Sequence, residues 1–235
     1  TPYELIYKEQ VRAGGLKAKY DVIILPAQGR SAQNIVFDLP VKGKPLPYTR
    51  TTEQQSLGMY GSSPDIRGGM GLEGLVELRK FVEAGGVLIT TGNASAVPVA
   101  FGLVNDVTTS SVARNFYAPG PIVKAKLLQP KSPIFYGYTE TTLPVRWATN
   151  DLFSVPQSTK SRVLMEFPGG KDGVMSGFMR GAEEIKNRPA VISLPQGSGR
   201  VLMFATNPIW RWQNLGEFRM LYNAMLNWQA LGGAN

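Results

Sequence analysis

Few residues in this chain could do chemistry by themselves, and the two most useful types are missing. The 235 residues include neither histidine nor cysteine. That removes thiol nucleophiles, disulfides, Ser-His-Asp and Cys-His arrangements, and any zinc site built on imidazole or thiolate. What remains is thin. Gly69-Met70-Gly71-Leu72-Glu73-Gly74 matches the spacing of a dinucleotide turn and opens a helical pattern. No apolar strand runs into it, because Ser62 to Arg67 is polar and contains Pro64, and no acidic residue follows about twenty positions on to hold a ribose. A helix-entry turn is the simpler reading.

The adjacent pair Glu183-Glu184 could in principle supply acid and base, but neighbours along a chain point in different directions, so a solvated surface is expected. Asp21, Asp38, Asp65 and Asp151 stand alone near strand ends or turns with no partner visible in the sequence. Ser95 and Ser176 lack a positioned base and read poorly as hydrolytic nucleophiles. Asn93-Ala94-Ser95 fits a glycosylation acceptor but abuts a strand expected to be buried. Trp210-Arg211-Trp212 sets an arginine between two aromatics, where it could line a pocket by cation-π stacking or simply pack; packing is the favoured reading.

The elements that must position these residues are easier to read. Tyr20 to Leu25 is a continuous apolar run ended by Pro26, the pattern of a strand buried on both faces, with the loop Ala27 to Arg30 at its carboxyl end. Residues 40–71 form a Pro-, Gly- and Thr-rich surface excursion. Leu72, Leu75, Val76, Leu78 and Val82 then recur at helical spacing, Gly85-Gly86 ends that helix, and Val87 to Thr91 follows as a second buried strand. Short β-like runs separated by prolines between Val112 and Phe167 predict an antiparallel region. Two strands, Ala190–Leu194 and Arg200–Phe204, are expected to pair through a glycine-rich turn, and Phe218, Leu221, Tyr222 and Met225 mark a terminal amphipathic helix.

The length suits a single domain with a sizeable core. A net charge of +8 would suit a polyanion, but Lys17 to Lys19, Lys42 to Lys44 and Lys124 to Lys131 never join into a continuous basic footprint, so no nucleic-acid partner is expected. The best apolar run, Ala96 to Val104, is too short for a membrane span. The chain opens on Thr1-Pro2-Tyr3 without an initiator methionine or leader pattern, which sets the expectation of a boundary cut from a longer protein.

In order and spacing these segments resemble the class I glutamine amidotransferase-like domain found C-terminal to bacterial zinc carboxypeptidase-like proteins. The resemblance rests on Tyr20 to Pro26, Gly71 to Ile89, Phe116-Tyr117-Ala118-Pro119-Gly120, Ser132 to Tyr138, Ser176-Gly177, Gly197 to Val201 and Phe218 to Ala224. It implies an α/β fold of three layers, flavodoxin-like, with a mainly parallel sheet and a β-rich C-terminal half. The superfamily's nucleophile turn would fall at Gly92-Asn93-Ala94, without its cysteine, and Ala27 to Arg30 would match the oxyanion loop. Amide hydrolysis by the family's mechanism is therefore not expected.

The resemblance further implies a non-catalytic accessory domain, with no cofactor of its own. Its partner would be an upstream peptidase domain in the same secreted or periplasmic polypeptide, which would carry the zinc. Thr1 to Ile6 would match the family's second strand, leaving the first strand and helix upstream. The alternative is a module that binds a peptide, small molecule or glycan in the degenerate pocket near Gln28, Arg30, Asn93, Ser95 and Arg211.

Overall fold

The computed structural model describes residues 2–147, 149 and 151–231. Among the described residues ten strands run as β1 Val22–Leu25, β2 Val87–Thr91, β3 Thr108–Ser111, β4 Ile122–Leu127, β5 Thr142–Arg146, β6 Asp151–Ser154, β7 Val163–Phe167, β8 Val174–Ser176, β9 Arg188–Gln196 and β10 Gly199–Phe204. The helices are α1 Lys8–Ala13, α2 Ala32–Phe37, α3 Gly71–Glu83, α4 Ala96–Ala100, α5 Leu215–Leu226 and α6 Trp228–Leu231. The main sheet has the order β1-β2-β10-β9-β7-β4-β5, with β8 paired to β4, and β3 pairs with β6 separately.

This is the α/β class expected, with a β-rich C-terminal half. Parallel pairing joins β1 to β2 and β2 to β10, while β10/β9, β9/β7, β7/β4, β4/β5 and β4/β8 are antiparallel. The parallel part is thus narrower than the sequence suggested. Parallel strands require a long crossover; β1 and β2 are joined by one through α2 and α3, whereas the connection from β2 to β10 runs through α4 and the antiparallel strands. Strand β10 reaches the parallel set by way of the β9 hairpin, whose turn is Gly197-Ser198 with Gly197 left-handed at φ +58°. A Cβ on Gly197 or on Gly199 would collide with the backbone at the end of α3, so this hairpin packs where only glycine fits.

Every residue of β2 is buried because β1 and β10 flank it. Strand β1 differs from expectation. It lies at the sheet edge, and only Ile23 is fully buried. Helix α3 packs on β2 and β10 through Leu75, Leu78, Phe81 and Val82, each side chain contributing roughly 1.5–3 kcal/mol of burial. Leu72 and Val76, placed on that stripe by spacing alone, are 57% and 49% exposed. The stripe is rotated because Gly71 and Gly74 let α1 approach, with Val11 against Gly74.

The terminal helix is likewise turned: Phe218 and Leu221 are buried as expected, Tyr222 is exposed, and Glu217, Met220 and Ala224 complete the inward face. The expected strand at the start of the chain is not seen: residues 2–7 hold no strand, and Thr1 lies outside the described residues.

The excursion between α2 and α3 is largely exposed but anchored. Lys8 Nζ donates to the carbonyls of Asp65 and Arg67, and Arg12 donates to those of Gly68 and Met70. Arg67, buried, forks onto the Asp65 carboxylate and donates to Lys42 and Gly43 carbonyls. That guanidinium holds the Asp65 carboxyl well below the usual range. Among the described residues no helix is long and apolar enough to cross a membrane.

Candidate functional site

The carboxyl ends of β1, β2 and β10 converge where ligands settle in open α/β sheets. Strand β2 leaves through Gly92, whose φ of +54° is left-handed, and enters a 3-10 turn over Gly92–Ser95 and then α4. This is a strand-turn-helix elbow with glycine at its apex. A Cβ there would meet Ala27 Cβ at 3.0 Å, so the β1 loop closes over the position where a nucleophile would stand. Gly92 N–H donates to the Thr206 carbonyl at 2.9 Å, which ties the elbow to the end of β10.

Asn93 fills the space beside it. Its Oδ1 accepts from the amides of Gln28, at 3.1 Å, and Gly29, at 3.3 Å, while its Nδ2 donates to the Arg30 carbonyl. Thr91 Oγ1 accepts from Ala27 N–H at 3.0 Å. The Ala27, Gln28 and Gly29 amides of the loop that resembles an oxyanion loop are therefore already bonded within the chain. Of the five residues proposed for a pocket, the fold brings Gln28, Arg30 and Asn93 together. Arg30 pairs with Asp38 at 2.5 Å. Ser95 points into the core instead, with its hydroxyl 2.9 Å from Thr90 Oγ1 and donating to the Phe204 carbonyl at 2.8 Å. Ala94 is fully buried beside it. Arg211 lies over Trp210, 5.0 Å from its ring centre.

The other sequence candidates resolve into structure. Asp21 pairs with Lys17, Asp38 with Arg30 and Asp65 with Arg67, so three of the four carboxylates taken as solitary have partners the sequence did not reveal. Burial raises the Asp151 carboxyl. Glu184 accepts from Ala113 N–H at 2.8 Å and steadies that loop, and Ser176 is exposed on β8. The Gly69–Gly74 run is a helix-entry turn: Gly69 and Gly71 are left-handed and a Cβ on Gly69 would strike the end of α2. Two concavities lie away from the parallel strands. One of about 390 Å³ is lined by Lys171, Val174, Phe178 and Glu183, and one of about 140 Å³ by Phe153, Ser154, Lys160 and Arg188.

Sequence reasoning missed Glu217. It is 1% exposed, on the inward face of α5. Oε1 accepts from Arg146 N–H at 2.6 Å and from Asn214 Nδ2 at 2.7 Å, and Oε2 lies 3.5 Å from Thr206 Oγ1. Burial pushes its carboxyl up to about 7, against the opposing pull of those donors and of the Arg146 charge. One signal was available. Glu217, Met220, Leu221 and Ala224 stand at i, i+3, i+4 and i+7, so an acid sits on an otherwise apolar stripe.

Thr206 thus has the elbow on one side and Glu217 on the other. Beyond Glu217, the Arg146 guanidinium lies 4.6 Å from the Trp210 ring centre and against Gly120, where a Cβ would collide with it. Arg146 Nη1 is buried and has no hydrogen-bond partner among the described residues. Arg211 and Trp212 are consecutive non-glycine residues with φ of +45° and +58°, and Trp212 is 77% exposed, its ring 5.6 Å from that of Phe218 at an interplanar angle of 64°.

No family model and no curated protein matches the sequence. Among solved structures the chain is similar to a β-galactosidase from Bacillus circulans sp. alkalophilus, at 15% identity and a TM-score of 0.45, covering 89% of this chain and 22% of that one. It is also similar to a cytoplasmic protein from Salmonella typhimurium, at 12% identity and a TM-score of 0.49, over 93% of this chain and 78% of the other. A ThuA-like protein from Bacteroides uniformis, which has a class I glutamine amidotransferase-like fold, aligns at 12% identity and a TM-score of 0.41 over 66% of this chain and 63% of its own. The chain spans about a fifth of the β-galactosidase's length.

Proposed function

We propose that this chain is a non-catalytic accessory domain of the amidotransferase-like type. The observation that carries the reading is the elbow: its apex is Gly92, and the Asn93 carboxamide takes the two amides a reacting oxyanion would need. Acyl transfer requires a nucleophile, a base to activate it and donors left open for the developing charge. Here the apex has no side chain and the donors are in use. Following the sequence resemblance, the neighbour served would be a zinc carboxypeptidase domain in the same exported polypeptide, and the zinc would belong to that domain.

Ammonia release from glutamine tests the non-catalytic part. The native chain and a Gly92→Cys variant are both expected to release none above buffer, since the variant restores a thiol but neither a base nor open donors. Turnover by the native chain would overturn the reading. For the accessory part, adding the chain to a separately produced peptidase domain of the same polypeptide is expected to raise that domain's Tm or change its rate on C-terminal peptides. An unchanged Tm together with an unchanged rate would refute that part.

A further inference from the structure

We infer that the strap Trp210-Arg211-Trp212, with Arg146 beside it, is a binding site for a carboxylated sugar, a ring with one apolar face and one anionic group. Four observations converge on it.

The first is charge. Arg146 and Arg211 both lie against one indole, at 4.6 and 5.0 Å from its centre, and neither has an ion-pair partner among the described residues. Two like charges at one aromatic ring repel each other, and the arrangement becomes favourable when an anion joins them. Glu217 makes no ion pair with either guanidinium: its carboxylate oxygens accept from the Arg146 backbone amide, Asn214 Nδ2 and Thr206 Oγ1.

The second is the unused donor. Arg146 Nη1 makes no hydrogen bond among the described residues, while the guanidinium is held against Gly120 and Trp210. That nitrogen is buried, so Arg146 brings the site a fixed, uncompensated charge, and Arg211 beside it is the exposed guanidinium whose planar fork a carboxylate accepts.

The third is the backbone. Left-handed φ at both Arg211 and Trp212 is unfavourable for residues with a Cβ, and such strain gathers at ligand sites where geometry outweighs stability. Its effect here is to present an exposed arginine beside an exposed indole.

The fourth is the apolar surface. Trp212 is 77% exposed, an indole surface on which the C–H face of a sugar ring can stack, and Ile209 and Leu215, also exposed, flank it in sequence. The strap follows β10 and begins beside the elbow, through the Gly92–Thr206 hydrogen bond, so the site lies at the end of the parallel strands and outside both concavities.

This inference does not depend on a neighbouring domain. A failed titration would leave the non-catalytic reading standing, and ammonia release from glutamine would leave the site standing. The test is a titration of the whole chain with D-glucuronate, D-glucose and acetate, followed by tryptophan fluorescence and calorimetry, on the native protein and on Trp212→Ala and Arg211→Gly. Glucuronate is expected to saturate with a millimolar Kd, and glucose and acetate to bind at least about tenfold more weakly. Each variant should lose about tenfold in glucuronate affinity, while Arg211→Gly raises Tm by roughly 1–4 °C because glycine relieves the left-handed strain. No saturation by glucuronate would overturn the proposal. So would acetate binding as tightly as glucuronate, or affinity untouched in both variants.

Discussion

The elbow after β2 and the strap after β10 begin from the same pair of backbone atoms, Gly92 N–H and the Thr206 carbonyl, and they are built in opposite ways. At the elbow every strained or polar requirement is met locally. The left-handed residue is glycine, the loop amides are capped by Asn93, and the hydroxyls of Thr90, Thr91 and Ser95 bond within the core. In the strap the left-handed residues are arginine and tryptophan, and beside it an Arg146 guanidinium nitrogen is unbonded among the described residues and the Glu217 carboxyl is buried against its preference for water. A region whose costs are offset internally has become part of the scaffold. One whose costs are not offset internally is where a ligand has something to contribute.

The largest test of this contrast is Glu217. Its folded carboxyl titrates near 7 against an ordinary value of 4.5, so between those pH values the native state holds more protons than the unfolded chain. The stability that the neutral carboxyl allows is therefore fully present below about pH 4.5 and is lost as pH rises through 7, by about 3 kcal/mol. Urea unfolding of the native chain and Glu217→Gln across this range should show the difference between them grow by that amount towards pH 8. A constant difference would mean that Glu217 is not buried as described.

Next in size is Gly92→Ala, expected to cost about 1–2 kcal/mol from the left-handed backbone and the approach to Ala27. Asn93→Ala should cost about 1 kcal/mol, less than a fully buried loss because Gln28 and Gly29 are near solvent. If Asn93→Ala left stability unchanged, the cap would be ornamental and the elbow less finished than it looks. The smallest effect has the opposite sign. Arg211→Gly should stabilise the chain by roughly 0.5–1 kcal/mol, read as an increase in the urea midpoint. The same change at the elbow is impossible, since glycine is already there.

Much of the scaffold was legible because it obeys one-dimensional rules. The α3 helix, the fully buried β2, the hairpin at Gly197 and the start of α5 all follow from apolar period and glycine stops. Helix phase was less legible. Leu72 and Val76 fit the period of α3 as well as Phe81 does, and only the arrival of α1 on the glycines decides which side faces inward. Edge position was not legible at all: β1 reads as a central strand and is an edge because nothing in its own residues says what pairs beyond it.

The sequence by itself determined the α/β class, the positions of the main elements and, through the absence of histidine and cysteine, which chemistries this chain does not contain. Those are properties of composition and local period, which are stated residue by residue. Only the tertiary structure decided that Asn93 closes the elbow, that Asp38 and Asp65 are paired, and that Arg146 on β5, Trp210 after β10 and Glu217 on α5 form one cluster. Arg146 and Glu217 are 71 residues apart, and burial, pairing and charge depend on distances that the folded chain alone sets.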